Sequence, residues 1–382
     1  MAQPISKRIK EKHPTADVKK FNTLLIDGSN LLEVSFRGYK KTNSQGKEIG
    51  GIFQFLLQIK MMLQKGNFRY VYCMWDGDNS GNLKFEINPS YKANRDKTYD
   101  EDRLSSYMQE VNKRIKQMYS HNKRNVKTED EKELFHWQRN IVIQCLEELC
   151  IRQCLCDYIE ADDLIGYYVT HKKPNERIVI VSNDRDLTQL ISDDVIVYIQ
   201  SLHQFVNTKN HTDIIGYNYQ NVLLKKILCG DASDNIKGIK GLGEKTLLDN
   251  FREIKERKVE LNEIINRADE INKKRKQEKK KPLKWAENIV NKITDGIQGE
   301  DIYESNKKII DLKNPLMTQE SIDTMNSIMY APMDTTDRSL NNLYKILQEN
   351  CIEELLEENK FSSFFLEFKY IIDNEKKGGD CF

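Results

Sequence analysis

Nine acidic residues, which fall in short groups beside apolar runs, are the side chains of this sequence best suited to chemistry. So many carboxylates brought together would repel one another unless divalent cations neutralised them. Oxygen ligands without clustered histidine or cysteine favour Mg²⁺ or Mn²⁺ over zinc, and two such ions form the clamp used for in-line phosphodiester displacement. We therefore predict a site for two Mg²⁺ ions, with Mn²⁺ as a substitute. Its candidate ligands are Asp27, Asp76, Glu160, Asp162, Asp163, Asp184, Asp186, Asp231 and Asp234.

Three short stretches of the sequence each contain more than one acid, so explanations simpler than a metal site must be considered for them. The stretch "EADD" at 160–163 falls where a helix begins, and the helix dipole and N-terminal capping also favour acids there. Capping does not require three carboxylates in four residues, however. The stretch "NDRD" at 183–186 follows an apolar run, and "GDASD" at 230–234 places two aspartates where they could share one face of a helical turn. Together the groups indicate a metal site.

Four runs rich in apolar and β-branched residues predict the strands that would position these acids, at 21–27, 68–76, 177–184 and 194–200. The first three runs are continuously apolar, as expected for parallel strands covered on both faces. Helical patterns such as the one at 50–64 separate them, which predicts a parallel α/β sheet. The first three predicted strands each end in an aspartate, at the sheet edge where function collects in open α/β folds.

Composition limits the class of protein. The chain has 382 residues, of which 38% are hydrophobic and 31% charged, so we expect a soluble chain with room for two domains. No apolar run reaches the length of about 18 residues that a membrane span needs, and the N-terminus lacks the apolar stretch of a secretory signal. We expect a cytoplasmic protein, in the host cytoplasm if its source is viral, with no membrane partner.

The total charge and the number of cysteines indicate less about function than the positions of these residues along the chain. The balance of 60 basic and 59 acidic side chains identifies no partner, but the cations cluster at 7–20, 113–127 and 273–284. The eight cysteines do not suggest a secreted disulfide scaffold. Four of them match no zinc spacing and follow an apolar helical pattern, so we predict buried or free thiols. These four are Cys145, Cys150, Cys154 and Cys156.

Five motifs occur in an order that resembles the 5′-nuclease family. They are "LLIDGSN", "WDGD…INPSYKANRD", "YIEADDLIGYYV", "IVIVSNDRDLTQL" and "LCGDASDNIKGIKGLGEKT". The family includes flap endonucleases, the 5′-nuclease domain of bacterial DNA polymerase I, and the ribonuclease H/5′-exonucleases of tailed phages. The resemblance covers about residues 21–250, and a looser similarity to the C-terminal helices of the phage members follows residue 300.

The resemblance implies an α/β fold with a PIN-like (Rossmann-like), mostly parallel sheet, a helical arch insertion and a C-terminal helix–three-turn–helix region. It divides the chain into a basic tail at 1–20, a nuclease core at 21–200 and a helical DNA-binding region at 201–382. The arch would occupy about residues 85–140 of the core. The helical region would hold a helix-hairpin element at 229–250 and a lysine-rich insertion at about 252–300, whose mixed charge favours a solvated segment.

The activity that the resemblance implies is metal-dependent 5′-3′ exonuclease and flap endonuclease cleavage near single-strand/duplex junctions, in DNA replication or repair. Substrates would be branched or nicked duplex DNA and RNA–DNA hybrids, including RNA primers. Asp27, Asp76, Glu160, Asp162 and Asp163 would hold the first metal, and Asp184, Asp186, Asp231 and Asp234 the second. Two alternatives are a branched-DNA-binding protein that does not cut, which the filled acidic set disfavours, and a PIN-type ribonuclease, which would lack the duplex-binding element.

Two cations of "SYKANRD", Lys92 and Arg95, match family positions at the base of the arch. Lys92 and Arg95 would stabilise the charge that a phosphate gains during attack, the alternative being ordinary surface ion pairing. Tyr91 would stack on a base next to the scissile phosphate or, alternatively, pack in the core.

Two further sets of residues would contact nucleic acid. In the arch, phosphates would be held by Lys113, Arg114, Lys116, Lys123, Arg124 and Lys127. The glycine-rich stretch at 238–246 is not a P-loop, because Glu244 interrupts that pattern and no apolar strand precedes it. The resemblance assigns it instead to the duplex-binding hairpin, with a bound K⁺ and the residues Gly238, Lys240, Gly241, Gly243, Lys245 and Thr246.

The stretch "ENKFSSFF" at 358–365 resembles a sliding-clamp-binding box in which Glu358 replaces the usual glutamine. Continuous helical periodicity through the following residues favours a packed C-terminal helix instead. A sliding clamp or a single-strand-binding protein are the candidate protein partners, and we expect a monomer.

Overall fold

A six-stranded sheet forms the centre of the computed structural model, which describes residues 17–95, 109, 113, 128–294 and 301–378. The strand order is β3-β2-β1-β4-β5-β6, and β1 to β5 are parallel while β6 runs antiparallel to β5. The predicted mostly parallel α/β class is confirmed. The strands are β1 (Thr23–Asp27), β2 (Tyr70–Asp76), β3 (Arg152–Cys156), β4 (Ile178–Val181), β5 (Val195–Ile199) and β6 (Gln204–Val206).

Helices cover both faces of this sheet, which is why its central strands are apolar on both sides. A short two-stranded ribbon, β7 (Gly230–Asp231) and β8 (Ile236–Lys237), follows the sheet. The described helices are α1 (Gly28–Gly38), α2 (Gly50–Leu63), α3 (Asn82–Ile87), α4 (Glu129–Glu148), α5 (Ala161–Thr170), α6 (His211–Ile215), α7 (Val222–Cys229), α8 (Glu244–Asn250), α9 (Leu261–Gln277), α10 (Lys284–Asn291), α11 (Ile302–Ile310), α12 (Gln319–Tyr330), α13 (Leu340–Glu349) and α14 (Glu358–Lys376).

Strand β1 shows how the sheet separates two cores. Its residues Leu24 and Ile26 point to one face of the sheet. That face is covered by α1, α2, α4, α13 and α14. Leu25 points to the other face, which α5 and the helices from α6 to α12 cover. Because the strands are in parallel register, with Leu24 level with Val71 and Val179, their carboxyl ends reach the same edge of the sheet.

Strand β3 departs from the sequence prediction. Cys154 and Cys156 lie on this strand and not on a helix, and the strand pairs with β2 at the edge of the sheet. Its burial alternates from residue to residue, because only one face of the strand packs on the core. Cys145 does lie on a helix, α4, and Cys150 follows it. The described cysteines are free thiols, and these four are buried as predicted.

Packing continues across residue 200, the predicted boundary between the nuclease core and the helical region. The sheet includes β6, which lies beyond that position, and the C-terminal helices α13 and α14 complete the core that begins with β1. The clamp-like stretch at 358–365 is part of α14, where Phe364 and Phe365 are buried, as the packed-helix alternative predicts. In the described ranges, no helix is both long and apolar enough to cross a membrane.

Candidate active site

A cleft of about 410 Å³ opens at the carboxyl edge of the sheet. Five of the predicted acids line it together with both predicted catalytic cations, so residues from β1, β2, α5 and the loop after β4 meet there. These residues are Asp27, Asp76, Glu160, Asp162, Asp184, Lys92 and Arg95.

Two aspartates are delivered by strand ends. Asp27 ends β1 and caps α1, where its carboxylate accepts hydrogen bonds from the Asn30 amide at 3.0 Å and the Ser182 hydroxyl at 2.8 Å. Asp76 ends β2, and its carboxylate accepts a 2.9 Å bond from the Ala161 amide at the start of α5. Burial raises the pKa of Asp27 to about 8, and the negative charge of Asp76 adds to that rise.

The first acidic cluster comprises Glu160, Asp162 and Asp163, whose oxygens lie within 4.8 Å of one another. A buried lysine, Lys84, lies between them, with its Nζ 2.8 Å from Asp163 Oδ2 and 3.1 Å from Glu160 Oε2. Burial raises the pKa of Asp163 to about 8, although the Lys84 ammonium opposes the rise. Three carboxyl groups therefore share one buried ammonium group, and a second one, from Lys92, contacts Glu160.

The second acidic cluster comprises Asp186, Asp231 and Asp234, which also lie within 4.8 Å of one another. The Lys226 ammonium binds both Asp186 and Asp231, the latter at 2.5 Å. Burial raises the pKa of Asp186 to about 7. Burial would also raise the pKa of Asp231, but Lys226 and hydrogen bonds from Ser233 hold it well below its usual range.

The local conformations around the second cluster differ from those predicted. Strand β4 ends at Val181, so Asp184 lies beyond the strand and caps a 3-10 helix, where it accepts a 2.8 Å bond from the Asp186 amide. Asp231 and Asp234 share no helical turn, because Asp231 lies on β7 and its carboxylate accepts bonds from Ser233. The carboxylates of Asp231 and Asp234 meet despite these differences.

Segment 90–95 brings two cations to the space between the clusters. The Lys92 ammonium donates to Glu160 Oε1 at 2.7 Å, and Arg95 Nη2 donates to Asp234 Oδ1 at 2.6 Å. Lys92 has a left-handed φ of 50°, and its amide donates to the Asp234 carbonyl at 2.7 Å, which ties the segment to the loop after β7. Burial alone would lower the pKa of Lys92, but Asp234 and Glu160 raise it above its ordinary value.

Tyr91 does not present a ring to the cleft. Its side chain is 1% exposed, and its hydroxyl donates to Glu160 Oε2 at 2.5 Å. The ring therefore has no face open to a nucleic-acid base, which corrects the stacking alternative in favour of packing. Tyr91 instead orients a carboxylate of the first cluster.

Three site residues were missed in the sequence: Lys84, Lys226 and Arg139. The Arg139 guanidinium lines the cleft and donates to the Asp76 carbonyl at 2.9 Å. Lys84 lies between Leu83 and Phe85 in the gap of the motif "WDGD…INPSYKANRD", and Lys226 lies in an apolar helix that ends shortly before Asp231. A lysine in such apolar surroundings is a signal for a buried ion pair, because lysine is rarely buried without a partner.

The arch lies largely outside the described residues. Lys113 is described and exposed. The remaining predicted arch contacts, which stay predictions, are Arg114, Lys116, Lys123, Arg124 and Lys127.

The glycine-rich loop between β8 and α8 divides into two parts. A Cβ on Gly238 would lie 2.3 Å from the Gly230 amide nitrogen, so only glycine permits the close backbone packing at this position. Gly241 has a φ of 82° and is exposed, and Gly243 faces open space. The exposed part of the predicted phosphate loop comprises Lys240, Gly241, Gly243 and Lys245, followed by the half-buried Thr246.

A parallel sheet brings five carboxylates and two cations into one cleft, and the contact of Arg95 with Asp234 joins the second cluster to it, an arrangement that fits a metal-dependent phosphodiester hydrolase. Residues 22–220 match the family described as 5′-3′ exonuclease, N-terminal resolvase-like domain. The chain therefore belongs to the 5′-3′ exonuclease family, and it is a metal-dependent nuclease.

Curated relatives agree with this assignment. The chain is 28% identical over 244 residues to a 5′-3′ exonuclease of Buchnera aphidicola, a match that covers 62% of this chain and 73% of that protein. It is 29% identical over 244 residues to the 5′-3′ exonuclease of Bacillus subtilis, covering 60% and 69%.

Solved structures show the same fold. The 5′-exonuclease of bacteriophage T5 with bound divalent metal ions (zinc) aligns with a TM-score of 0.53 and 18% identity over 88% of this chain and 100% of that one. The T5 flap endonuclease in a pseudo-enzyme–product complex with DNA and metal ions aligns with a TM-score of 0.52 and 18% identity, over 87% and 98%.

Proposed function

We propose that the chain is a Mg²⁺-dependent 5′-nuclease that cuts DNA next to single-strand/duplex junctions, as a 5′-3′ exonuclease and flap endonuclease. The observation that carries the proposal is that Lys92 and Arg95 line a cleft with five of the acids, while Lys92 contacts the first cluster at Glu160 and Arg95 contacts the second at Asp234. Membership of the 5′-3′ exonuclease family supports the same reaction.

The donor set fits Mg²⁺. Both clusters offer only carboxylate oxygens, and within the described residues neither includes a histidine or cysteine. Hard oxygen donors suit Mg²⁺ and Mn²⁺. Burial raises the pKa values of Asp27 and Asp163, and the charges of neighbouring carboxylates add to the rise, so a bound cation would replace protons on these carboxyl groups. When bound, a pair of such ions would activate water and offset charge on the leaving oxygen.

Each cluster would hold one ion. The first would use Glu160, Asp162 and Asp163 with the strand-end residues Asp27 and Asp76. The second would use Asp184 with Asp186, Asp231 and Asp234. Lys84 and Lys226 lie between carboxylates of the two clusters, and their ammonium groups keep the oxygens close together.

Lys92 and Arg95 would bind the scissile phosphate. Both contact an acid of a cluster, Glu160 for Lys92 and Asp234 for Arg95. Because both cations line the cleft, they would lie beside a phosphate that enters it. Cations placed on the phosphate stabilise the charge that it gains during attack.

The substrate would lie across the cleft and the glycine loop. Duplex phosphates would contact the exposed Lys240, Gly241, Gly243 and Lys245, with K⁺ bound near the loop. The arch would hold the 5′ single strand. The T5 flap endonuclease, which has this fold, was solved with DNA and metal ions. RNA–DNA hybrids are a further substrate of this proposal, and a sliding clamp or a single-strand-binding protein are its candidate partners for a cytoplasmic monomer.

The test compares labelled 5′-flap, nicked-duplex and RNA–DNA hybrid substrates with Mg²⁺ and with chelator. We expect Mg²⁺-dependent cleavage near the junction, with product lengths that separate exonuclease from flap endonuclease activity. Asp184→Ala should abolish cleavage and leave substrate binding in place. Asp193→Ala, which removes an exposed aspartate beyond the opposite edge of the sheet, is the matched control and should cut normally. Near-normal cleavage by Asp184→Ala would refute the site, and binding without cleavage by the unmodified chain would favour the binding-only alternative.

A further inference from the structure

A second basic surface lies beside the glycine loop, on the helical hairpin formed by α9 and α10, here called the basic hairpin (residues 261–291). Between 273 and 284 it carries eight cations, seven lysines and Arg275, against the single acid Glu278, a net charge of 8 − 1 = +7. The whole chain has a net charge of only +1. Positive charge is therefore concentrated on this hairpin.

The basic hairpin is folded, and its lysines are exposed to solvent. The side chain of Asn272 joins its two arms, since it donates to the Leu283 carbonyl at 3.0 Å and accepts from the Leu283 amide at 2.7 Å. Ile264 and Ala268 from α9 and Ile289 from α10 are fully buried in the core. The lysines therefore project from a fixed scaffold, so that less side-chain and backbone entropy is lost when they bind a ligand.

The scaffold is joined to the glycine loop by direct contacts. The Lys240 amide donates to the Ile293 carbonyl at 3.0 Å, and the Asn288 side chain donates to the Lys240 carbonyl at 2.8 Å. The Trp285 Cβ lies 3.7 Å from the point where a Gly241 Cβ would be. Because Trp285 directly follows Lys284, the basic stretch at 273–284 ends one residue before a contact with the loop.

Most of the lysines are not neutralised by neighbouring acids. Within the described ranges, the ion pairs of this stretch are Lys273 with Asp269 and Lys280 with Glu278. A solvated helix face would normally pair its lysines with acids three or four residues away. The exposed lysines of the stretch without such an ion pair are Lys274, Lys276, Lys279, Lys281 and Lys284.

We infer that the basic hairpin binds the phosphate backbone of duplex DNA and extends the duplex contact of the glycine loop. This inference rests on the proposed function for the position of the duplex. Helix α9 has 17 residues and is about 25 Å long, which corresponds to about 7 base pairs of duplex. Lysine side chains act as flexible point charges, which suits contact with phosphates along a backbone and carries no base specificity.

The test is the salt dependence of binding, measured by fluorescence anisotropy with metal chelated so that no cleavage occurs. The variant replaces four lysines by glutamine, K274Q/K276Q/K279Q/K281Q. Its matched control replaces four exposed lysines on or next to helices that cover the opposite face of the sheet, K65Q/K345Q/K369Q/K377Q. Two flap substrates are compared, one with a short duplex that reaches only the glycine loop and one longer by about one helical turn.

The binding constant falls as the salt concentration rises, and each lost phosphate contact makes the slope of log K against log salt less steep by about 0.9. We expect the slope of the hairpin variant to be less steep by about 2 to 4 on the long duplex. Its slopes on the short duplex and on single strands should equal those of the unmodified chain. The control variant should match the unmodified chain, and circular dichroism should show equal folding of all three. An unchanged slope on the long duplex, or an equal loss on single strands, would overturn the inference.

Cleavage separates this inference from the proposed function. With Mg²⁺ and saturating enzyme, the hairpin variant should cut the flap substrate at the unmodified rate in a single turnover. If the unmodified chain does not cut, the proposed function fails, while the anisotropy result still decides whether the hairpin binds duplex DNA. If it cuts and the slope does not change, the hairpin inference alone fails.

Discussion

Replacing Asp27 by asparagine should remove a pH-dependent loss of stability from the metal-free chain. Burial raises the pKa of Asp27 from 3.8 to about 8. The folded chain therefore keeps a proton on this carboxyl at neutral pH, whereas the unfolded chain has lost it. The unfolded state binds fewer protons, so the free energy of unfolding falls as the pH rises between these two values.

The size of the change in stability follows from the rise in the pKa of Asp27. A group that is protonated when folded and ionised when unfolded costs about 1.4 kcal/mol of stability for each pH unit. His211 has the opposite influence, because burial lowers its pKa from 6.5 to about 4 and its contribution is complete above pH 6.5. The clean window for Asp27 is therefore from pH 6.5 to about 7.5, where the Asp27→Asn variant should lose about 1.4 kcal/mol less than the unmodified chain.

The assay is urea unfolding with chelator across this window, for the unmodified chain, Asp27→Asn and Asp193→Asn. Asp163 and Asp186 add their own slopes, but these are common to all three proteins, so the difference in slope isolates Asp27. The asparagine can keep the bond from the Asn30 amide, which limits any other change in stability. Parallel slopes for the unmodified chain and Asp27→Asn would refute the reasoning. Adding Mg²⁺ should stabilise the unmodified chain more at higher pH, because metal binds the ionised carboxylates.

Three further substitutions test other contacts. Lys84→Met should cost the metal-free chain about 3–5 kcal/mol in urea unfolding, because it leaves buried carboxylates unpaired, and Lys84→Arg or added Mg²⁺ should recover much of the loss. Lys92→Ala should lower the single-turnover cleavage rate at saturating enzyme by about 100-fold, and a defect confined to substrate binding would contradict its role at the phosphate. Arg152→Met should cost about 3–5 kcal/mol of stability and lower the melting temperature, because it breaks the buried ion pair with Glu375. Mg²⁺-dependent cleavage should persist below the melting transition. An unchanged melting temperature would show that the ion pair adds no stability.

The sheet and the acidic residues of the site could be predicted because they depend on local sequence patterns, and the contacts of the folded chain do not alter these patterns. The continuously apolar runs at 21–27 and 68–76 became β1 and β2, with both aspartates at their ends, because burial on two faces demands apolar residues at every position. The short edge strand β3 was missed, since five residues packed on one face give a weak signal. Asp184 was placed on a strand end, whereas the chain turns three residues earlier.

The sequence alone determined the parallel α/β class, the family and which acids are available, because these depend on residue types and their order along the chain. Only the tertiary structure decided which partners those acids have. Lys84 and Lys226 between the clusters, the buried hydroxyl of Tyr91 on Glu160, and the docking of the basic hairpin on Lys240 join residues that are distant in sequence. Their energies depend on burial and on separations of a few ångströms, and neither quantity is defined until the chain has folded.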